Sequence, residues 1–295
     1  MTASHEPVLV TDVVTWLAPR PDGWYVDGTL GLGGHTAALL DAGAGHVVGI
    51  DRDQDALTIA RERLARFGDR VTFVHADYRS LREVLDGLGR PAVDGVLVDL
   101  GVSSMQLDEA ERGFSFRQDG PLDMRMDRSS GEPLSEWLAT GEEETLANVI
   151  YQFGEERKSR RVARAIVAAR DETPFTRTTQ LAAVVRKAVG GGWQRVDPAT
   201  RTFQALRIWI NRELDGLEAF LESGLACLVP GGRMAVIAFH SLEDRVVKHT
   251  WRRLAQADDA TVEVLTRRPV VPDDEEAGRN PRARSARLRV VEKVA

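Results

Sequence analysis

A single cysteine, Cys227, in 295 residues excludes a disulfide framework and any cysteine-built zinc site, and it fits a reducing compartment. Long apolar runs are missing as well. No stretch reaches the roughly 18 apolar residues that a membrane span needs. The opening MTASHEPVLV has no basic segment ahead of an apolar core, so no signal peptide is expected and the chain reads as cytoplasmic. Nor is there an excess of positive charge: 39 basic against 45 acidic side chains give a net charge of −6. That excludes a uniformly basic nucleic-acid coat but leaves room for local basic patches. No metal site is read. What the chain does have is an ordinary globular composition, 43% hydrophobic and 28% charged, which excludes wholesale disorder. At about 150 residues per domain, its length suggests two domains or one large α/β unit with an insertion.

Short apolar runs ending in Asp recur along the first hundred residues. They are Trp24 to Val26 before Asp27, His46 to Ile50 before Asp51, Val71 to Val74 ahead of Asp77, and Val93 to Val98 before Asp99. Helix-compatible stretches lie between them. In residues 55–67, for example, Ala56, Ile59, Ala60, Leu64 and Phe67 keep one face apolar. Strands alternating with helices predict a parallel sheet covered on both faces, which accounts for continuous rather than alternating apolar runs. From 106 to 201 no strand is convincing. Helices are expected instead at 134–140, 142–153, 159–171 and 178–189, and a long one from about 202 to 228. Strand chemistry returns at 233–239 behind Pro230-Gly231-Gly232, and then at 261–265 and 287–294, a pair suited to an antiparallel edge hairpin. The expected architecture is α/β, a sheet of about seven strands built from residues 1–105 and 202–295. A helical insertion, 106–201, interrupts it after the fourth strand.

The first strand runs into VDGTLGLGGHT. Gly28, Gly31, Gly33 and Gly34 allow a tight turn and a close approach of backbone to ligand, with a helix starting directly afterwards. Asp51 lies 20 residues beyond Gly31 at the end of the second strand, where a carboxylate can accept hydrogen bonds from ribose hydroxyls. No Gly-Lys-Ser/Thr follows the loop, so it is not a P-loop, and the glycine spacing is not that of nicotinamide enzymes. Asp27, just before the loop, suits a ligand carrying a cationic amino group. Tyr78 offers a ring to stack on adenine, and Asp99 ends the fourth strand beside the crevice. These features point to an adenosyl ligand, a methyl donor.

The motifs HEPVL at 5–9, DGTLGLGGHT, IDRD at 50–53 and VLVDLGVSSMQLD at 96–108 resemble those of the bacterial ribosomal RNA small-subunit methyltransferase H family. So do RGFSFRQDGPLDMRMD at 112–127, YQFGEERKSRRVARAIV at 151–167, PATRTFQALRIWINREL at 198–214 and PGGRMAVIAFHSLEDRVVK at 230–248. The resemblance spans nearly the whole chain. It implies a Rossmann-like, class I S-adenosylmethionine methyltransferase fold, with the insertion recognising RNA. It further implies methylation of the exocyclic N4 amine of a single cytosine, position 1402, in the 16S rRNA decoding region. Carried over residue by residue, the cofactor positions are Gly33, Gly34, His35, Asp51, Tyr78, Asp99 and Gln106. At Tyr78 the family also uses Phe, so only aromatic stacking transfers. The partner implied is 16S rRNA, within the small ribosomal subunit, with no membrane and with room for a homodimer.

Methylation of a pyrimidine at carbon 5 needs a cysteine nucleophile, and Cys227 sits in the apolar run Gly224 to Val229, so that chemistry is excluded. Transfer to an amine needs no covalent intermediate, only alignment and acceptors for the amine hydrogens. Asp99 is the first candidate acceptor. His240, at the end of Ala238-Phe239-His240, is the second, against the plainer reading of a strand-end histidine bonded to a neighbouring loop. Many amine methyltransferases carry Asp/Asn-Pro-Pro-Tyr/Phe after the fourth strand, whereas here the stretch is Asp99-Leu100-Gly101-Val102-Ser103-Ser104. A base-stacking aromatic would then come from Phe114 or Phe116, unless these are core residues of the insertion.

A stacked cytosine is out of reach, so the base must be splayed into the crevice and its phosphates met by local basic clusters. Arg157, Lys158, Arg160, Arg161 and Arg164 form one such run; Arg279, Arg282, Arg284, Arg287 and Arg289 form another. Arg201, Arg207 and Arg212 are candidates for the crevice rim. Two competing functions remain at this point: a nicotinamide-dependent oxidoreductase, and a non-catalytic assembly factor that binds nucleotide and rRNA.

Overall fold

The apolar runs ending in Asp form the strands they predict. The computed structural model describes residues 7–190 and 196–294, so His5 and Glu6 of the HEPVL motif lie outside the described residues. In chain order the first elements are α1 (Val10–Leu17), β1 (Trp24–Asp27), α2 (Gly34–Asp41), β2 (His46–Asp51), α3 (Gln54–Leu64), β3 (Val71–His75), α4 (Leu81–Gly87) and β4 (Val93–Asp99). The helical region follows with α5 (Ser104–Asp108), α6 (Leu134–Thr140), α7 (Glu143–Gly154), α8 (Ser159–Glu172), α9 (Thr178–Val189) and α10 (Ala199–Asn211). The chain then returns through α11 (Leu217–Ala226), β5 (Leu228–Ala238), α12 (Ser241–Ala255), β6 (Val262–Val264), α13 (Asp274–Arg279) and β7 (Arg287–Lys293). Two compact units result: residues 1–101 with 214–295, and residues 102–213.

In the first unit the strand order is β3-β2-β1-β4-β5-β7-β6. β1 to β5 are parallel, while β7 runs antiparallel to both β5 and β6. This is the seven-stranded α/β sheet expected from the sequence, with its last pair antiparallel. β6, with only Val262 to Val264 paired, is the edge, and β7 lies inside it. Successive residues of a strand enter opposite cores, as period-two geometry requires. Tyr25, Leu97 and Ile237 join Leu39, Leu57 and Val13 on one face. Val26, Val98 and Val236 join Leu81, Phe220 and Trp251 on the other. Strand order reverses between β1 and β4, so a crevice is expected at their carboxyl ends.

The second unit has its own core, in which Leu146 and Ile150 of α7, Val162 and Ile166 of α8, Leu181 and Val185 of α9, and Phe203 and Leu206 of α10 interlock. Each pair keeps the i, i+3 or i+4 spacing that puts both side chains on one helical stripe. The sequence placed the unit boundaries at 105/106 and 201/202. At the second of these α10 accounts for the difference, since its apolar stripe packs in the helical unit. The single helix expected over 202–228 is in fact α10 and α11. Arg212, at φ 49°, and Gly216, at φ 69°, take left-handed backbone that no α-helix accommodates.

Candidate active site

The parallel strands β1, β2 and β4 deliver Asp27, Asp51 and Asp99 to the same edge of the sheet. The loop after β1 is tied to that edge. Gly31 N–H donates to Asp51 Oδ2 at 2.7 Å, Leu30 N–H to Ile50 O, and Gly28 N–H to Leu97 O. The Asp99 amide donates to Thr29 Oγ1 at 2.6 Å, and Thr36 Oγ1 donates to Asp27 Oδ2 at 2.8 Å. The two threonines inside the glycine motif thus fix the loop between β1 and β4. The sequence reading missed that role, although their places among the glycines were visible.

The glycines divide by purpose. A Cβ on Gly33 would meet Leu64 Cδ1 at 2.7 Å and one on Gly34 would meet Pro7 Cγ at 2.9 Å; one on Gly28 would press on Tyr78 and Val98 at 3.2 Å. These three make room for the protein's own packing. Gly31, at φ 51°, is different: a Cβ there would meet nothing nearer than 3.9 Å. Gly33, at φ 79°, is the N-cap of α2 and also turns the chain into the helix.

Electrostatically the site is one-sided. Asp27 is buried, and loss of water pushes its carboxyl up to about 6 against hydrogen bonds from Thr36 and Thr29. Asp51 is likewise pushed up to about 6 by burial, with Asp53 and Asp27 adding like charge. The Asp99 carboxyl is held well above its ordinary range, first by burial and then by Asp27 and Glu243. Its Oδ1 is enclosed without a hydrogen-bond partner, while the side chain as a whole stays about 25% exposed, so the two oxygens face different surroundings. Among the described residues no lysine or arginine pairs with any of the three, and His35 is the one basic ring near Asp99. Such a cluster costs free energy when empty and favours a cationic ligand. Both Asp51 oxygens already accept an amide, from Gly31 and Asp53, yet each keeps a further lone pair for a ligand hydroxyl.

His35, buried in α2, has Nε2 2.9 Å from Val8 O, and burial lowers its pKa. A carbonyl only accepts, so Nε2 carries the proton and the neutral Nδ1, 4.0 Å from Asp99 Oδ2, is an acceptor. Tyr78 follows β3 in a 3₁₀ turn capped by Asp77, and its ring meets Phe220 edge-on at 4.7 Å. Gln106 belongs to the helical unit, where its Oε1 accepts from the Ser103 amide in the capping box of α5.

His240 corrects an expectation. It is the N-cap of α12: Nδ1 accepts from the Glu243 amide at 3.3 Å, and Glu243 Oε2 accepts from the Phe239 amide at 2.9 Å. With Nδ1 committed, the proton of the neutral ring sits on Nε2, 3.1 Å from Glu243 Oε1 but not aligned for a hydrogen bond. The ring is thus held by the cap, as in the plainer reading of a histidine bonded to a neighbouring segment. Glu243, three residues on, was overlooked, although His-x-x-Glu mimics a capping box.

Phe114 is buried, and Phe116 packs edge-on against Phe203 at 4.7 Å under Arg186, so both are packing residues of the helical unit. The second basic run is largely spent internally. Arg287 and Arg289 pair with Asp244, Arg279 pairs with Glu275, and Arg284 donates to Ala277 O. Arg207 is held by Glu213 at 2.8 Å, whereas Arg201 is exposed and reaches only the Glu155 carbonyl at 3.5 Å. Cys227 is fully buried and its thiol is pushed up by burial, as the exclusion of cysteine chemistry requires.

The profile of the MraW methylase family matches residues 2–294. A Sorangium cellulosum protein named ribosomal RNA small subunit methyltransferase H is 53% identical over 294 residues, 98% of this chain and 91% of that one. Proteins of the same name from Geobacter sulfurreducens and Geotalea uraniireducens are 50% and 49% identical, with coverage of 100% of both chains and 98% of both chains. A glycine loop tied to Asp51, carboxylates at the ends of three neighbouring parallel strands and full-length similarity to these methylases agree, and the chain belongs to the MraW methylase family.

Proposed function

We propose that this chain methylates small-subunit ribosomal RNA with S-adenosylmethionine as donor, and that its target is the exocyclic N4 amine of one cytosine in the 16S decoding region. The observation that carries the cofactor assignment is the trio Asp27, Asp51 and Asp99 at neighbouring strand ends, three carboxyls pushed up by burial with no lysine or arginine paired to them among the described residues. The donor is cationic at sulfur and at its amino group, whereas the pyrophosphate of a nicotinamide cofactor would bring negative charge to the same carboxylates. The family and the names of the relatives support the rRNA substrate.

S-adenosylmethionine would supply an electrophilic methyl group on a sulfonium. Asp27 and the Gly31 backbone would hold its amino-acid end, Asp51 its ribose hydroxyls and Tyr78 its adenine. Asp99 has the chemistry for the amine. A cytosine amine is a poor nucleophile because its lone pair is delocalised into the ring. A carboxylate accepting its N–H groups helps localise that pair. Methylation would leave the amine nitrogen cationic, and Asp99 would accept the proton that it gives up. A raised proton affinity suits that acceptor. His240, committed to its cap, takes no part in this step.

The test is methyl transfer from labelled S-adenosylmethionine to small-subunit particles from cells lacking the mark, followed by mass spectrometry of the 16S rRNA. One N4-methylcytosine in the decoding region is expected. No incorporation into particles or free rRNA would overturn the reading, and incorporation at another base would overturn its target.

A further inference from the structure

The helical unit contains a cavity of about 400 Å³, lined by Tyr151, Arg157, Lys158, Ser159, Arg160 and Arg161 together with part of α7. It lies where α7 ends and α8 begins. Val162, Ala163 and Ile166 turn the apolar face of α8 into the core, which leaves Arg160 and Arg161 exposed at its first turn. Arg157 and Lys158 come from the link before the helix. The four cations are not evenly spent. Lys158 Nζ donates to Val189 O, and Arg164, one turn further on, lies 3.6 Å from Glu143. Among the described residues, Arg157, Arg160 and Arg161 have no carboxylate within ion-pair distance, and none lines the cavity. No acidic residue occupies the first turn of α8, whose leading amides lack partners within the helix.

Two further observations give the cavity its selectivity. Ser159 is only 5% exposed, yet it lines the cavity beside the arginines. Its hydroxyl is a further polar group placed where a ligand in the cavity can meet it. At the rim Tyr151 is 60% exposed, a large aromatic ring presented to solvent beside three uncompensated guanidinium groups. Arginines with an exposed aromatic are the combination that binds a nucleotide, phosphate on the cations and base on the ring.

We infer that this cavity is a second RNA contact, a pocket that takes a backbone phosphate on Arg157, Arg160, Arg161 and Ser159 and stacks the adjoining unpaired base on Tyr151. It rests on the rRNA reading above and extends it: the substrate is gripped by the helical unit at a single-stranded nucleotide besides the one that is methylated. The second basic run is the weaker candidate, since four of its five arginines are engaged, Arg287 and Arg289 by Asp244, Arg279 by Glu275 and Arg284 by the Ala277 carbonyl.

The test compares full-length wild type with Arg157→Gln/Arg161→Gln, the charge-preserving Arg157→Lys/Arg161→Lys, and Tyr151→Ala. Cofactor affinity and thermal melting serve as folding controls. Binding to decoding-region RNA is measured against salt concentration, and methyl transfer to small-subunit particles gives KM and kcat. The double glutamine variant should weaken RNA binding and raise KM by about 10-fold or more, with kcat at saturation unchanged. It should also flatten the log–log salt dependence by about one to two units, one per lost phosphate contact. The lysine pair should keep the slope. Tyr151→Ala should weaken binding to single-stranded RNA and leave the slope alone. Unchanged RNA affinity and slope in the glutamine variant would overturn the pocket. Failure of wild type to methylate any rRNA would instead overturn the functional reading, because RNA binding is read separately from turnover.

Discussion

Asp27 contributes to binding at the expense of the empty protein's stability. Its carboxyl titrates near 6 in the fold against 3.8 unfolded, so between those values the folded chain holds the extra proton. Stability therefore falls as pH rises through that window, and the full cost, about 3 kcal/mol for two pH units, is present above pH 6. Asp27→Asn should accordingly melt higher than wild type at pH 7.5 in the absence of cofactor, with the gap closing near pH 4, while its affinity for S-adenosylmethionine falls at least 10-fold. Scanning fluorimetry across pH with and without cofactor reads both effects. The same carboxyls set a pH dependence for the wild type. A cation prefers them ionised, so calorimetric affinity should be flat above pH 7 and weaken as pH drops through about 6. Affinity that strengthened on acidification would contradict the charge argument. At Asp99, replacement by Asn keeps the size and removes the proton acceptor. Turnover should drop by about 10²- to 10⁴-fold, the usual range for a lost general base, while cofactor is still bound.

At the scale of elements, the loop between β1 and α2 separates what the sequence discloses from what it hides. Four glycines announced a turn, and Asp51 announced its ligand edge. Strand ends are legible because buried parallel strands are continuous apolar runs and polarity returns abruptly where they stop. The reason for each glycine was not legible, because it lies in partners far along the chain: Leu64 for Gly33 and Pro7 for Gly34. For the same reason His240 could be read either as an acceptor or as a strand-end histidine bonded nearby, and only the fold discloses the helix cap that engages its Nδ1. The helix break at Arg212 escaped too, since arginine carries no warning of left-handed backbone. The glycine difference can be measured. Gly33→Ala meets both the positive φ and Leu64, and should destabilise by about 2–4 kcal/mol. Gly31→Ala meets only the positive φ, with about 1 kcal/mol lost in stability, but its methyl intrudes where ligand approaches. Urea unfolding should rank Gly33→Ala as the less stable, and cofactor titration should rank Gly31→Ala as the weaker binder relative to its stability. Equal behaviour of the two would mean that the loop serves packing alone.

For the whole molecule, the helical unit is one continuous segment whose polar and apolar faces close on themselves. Residues 102–213 leave β4 and return before α11 in a single excursion, whereas the sheet unit is assembled from both ends of the chain. A core of leucine, valine, isoleucine and phenylalanine side chains, contributed by α6 to α10, lies wholly within that excursion. Polar ties hold its first segment as well. Asn211 in α10 donates to Met124 O and accepts from the Met126 amide, and Leu122 N–H donates to Thr176 O, so the long irregular stretch after α5 is bound to helices of its own unit. A segment of 112 residues with local helix-to-helix contacts is large enough to bury a core and has the low contact order that favours rapid folding. Expressed alone, residues 102–213 should therefore give a helical circular-dichroism spectrum and a single cooperative melt. Leu146→Ala or Leu181→Ala, each removing a fully buried side chain, should lower its stability by about 2–5 kcal/mol. A fragment that shows helicity without a cooperative transition would mean that the core seen in the intact chain depends on residues outside this segment.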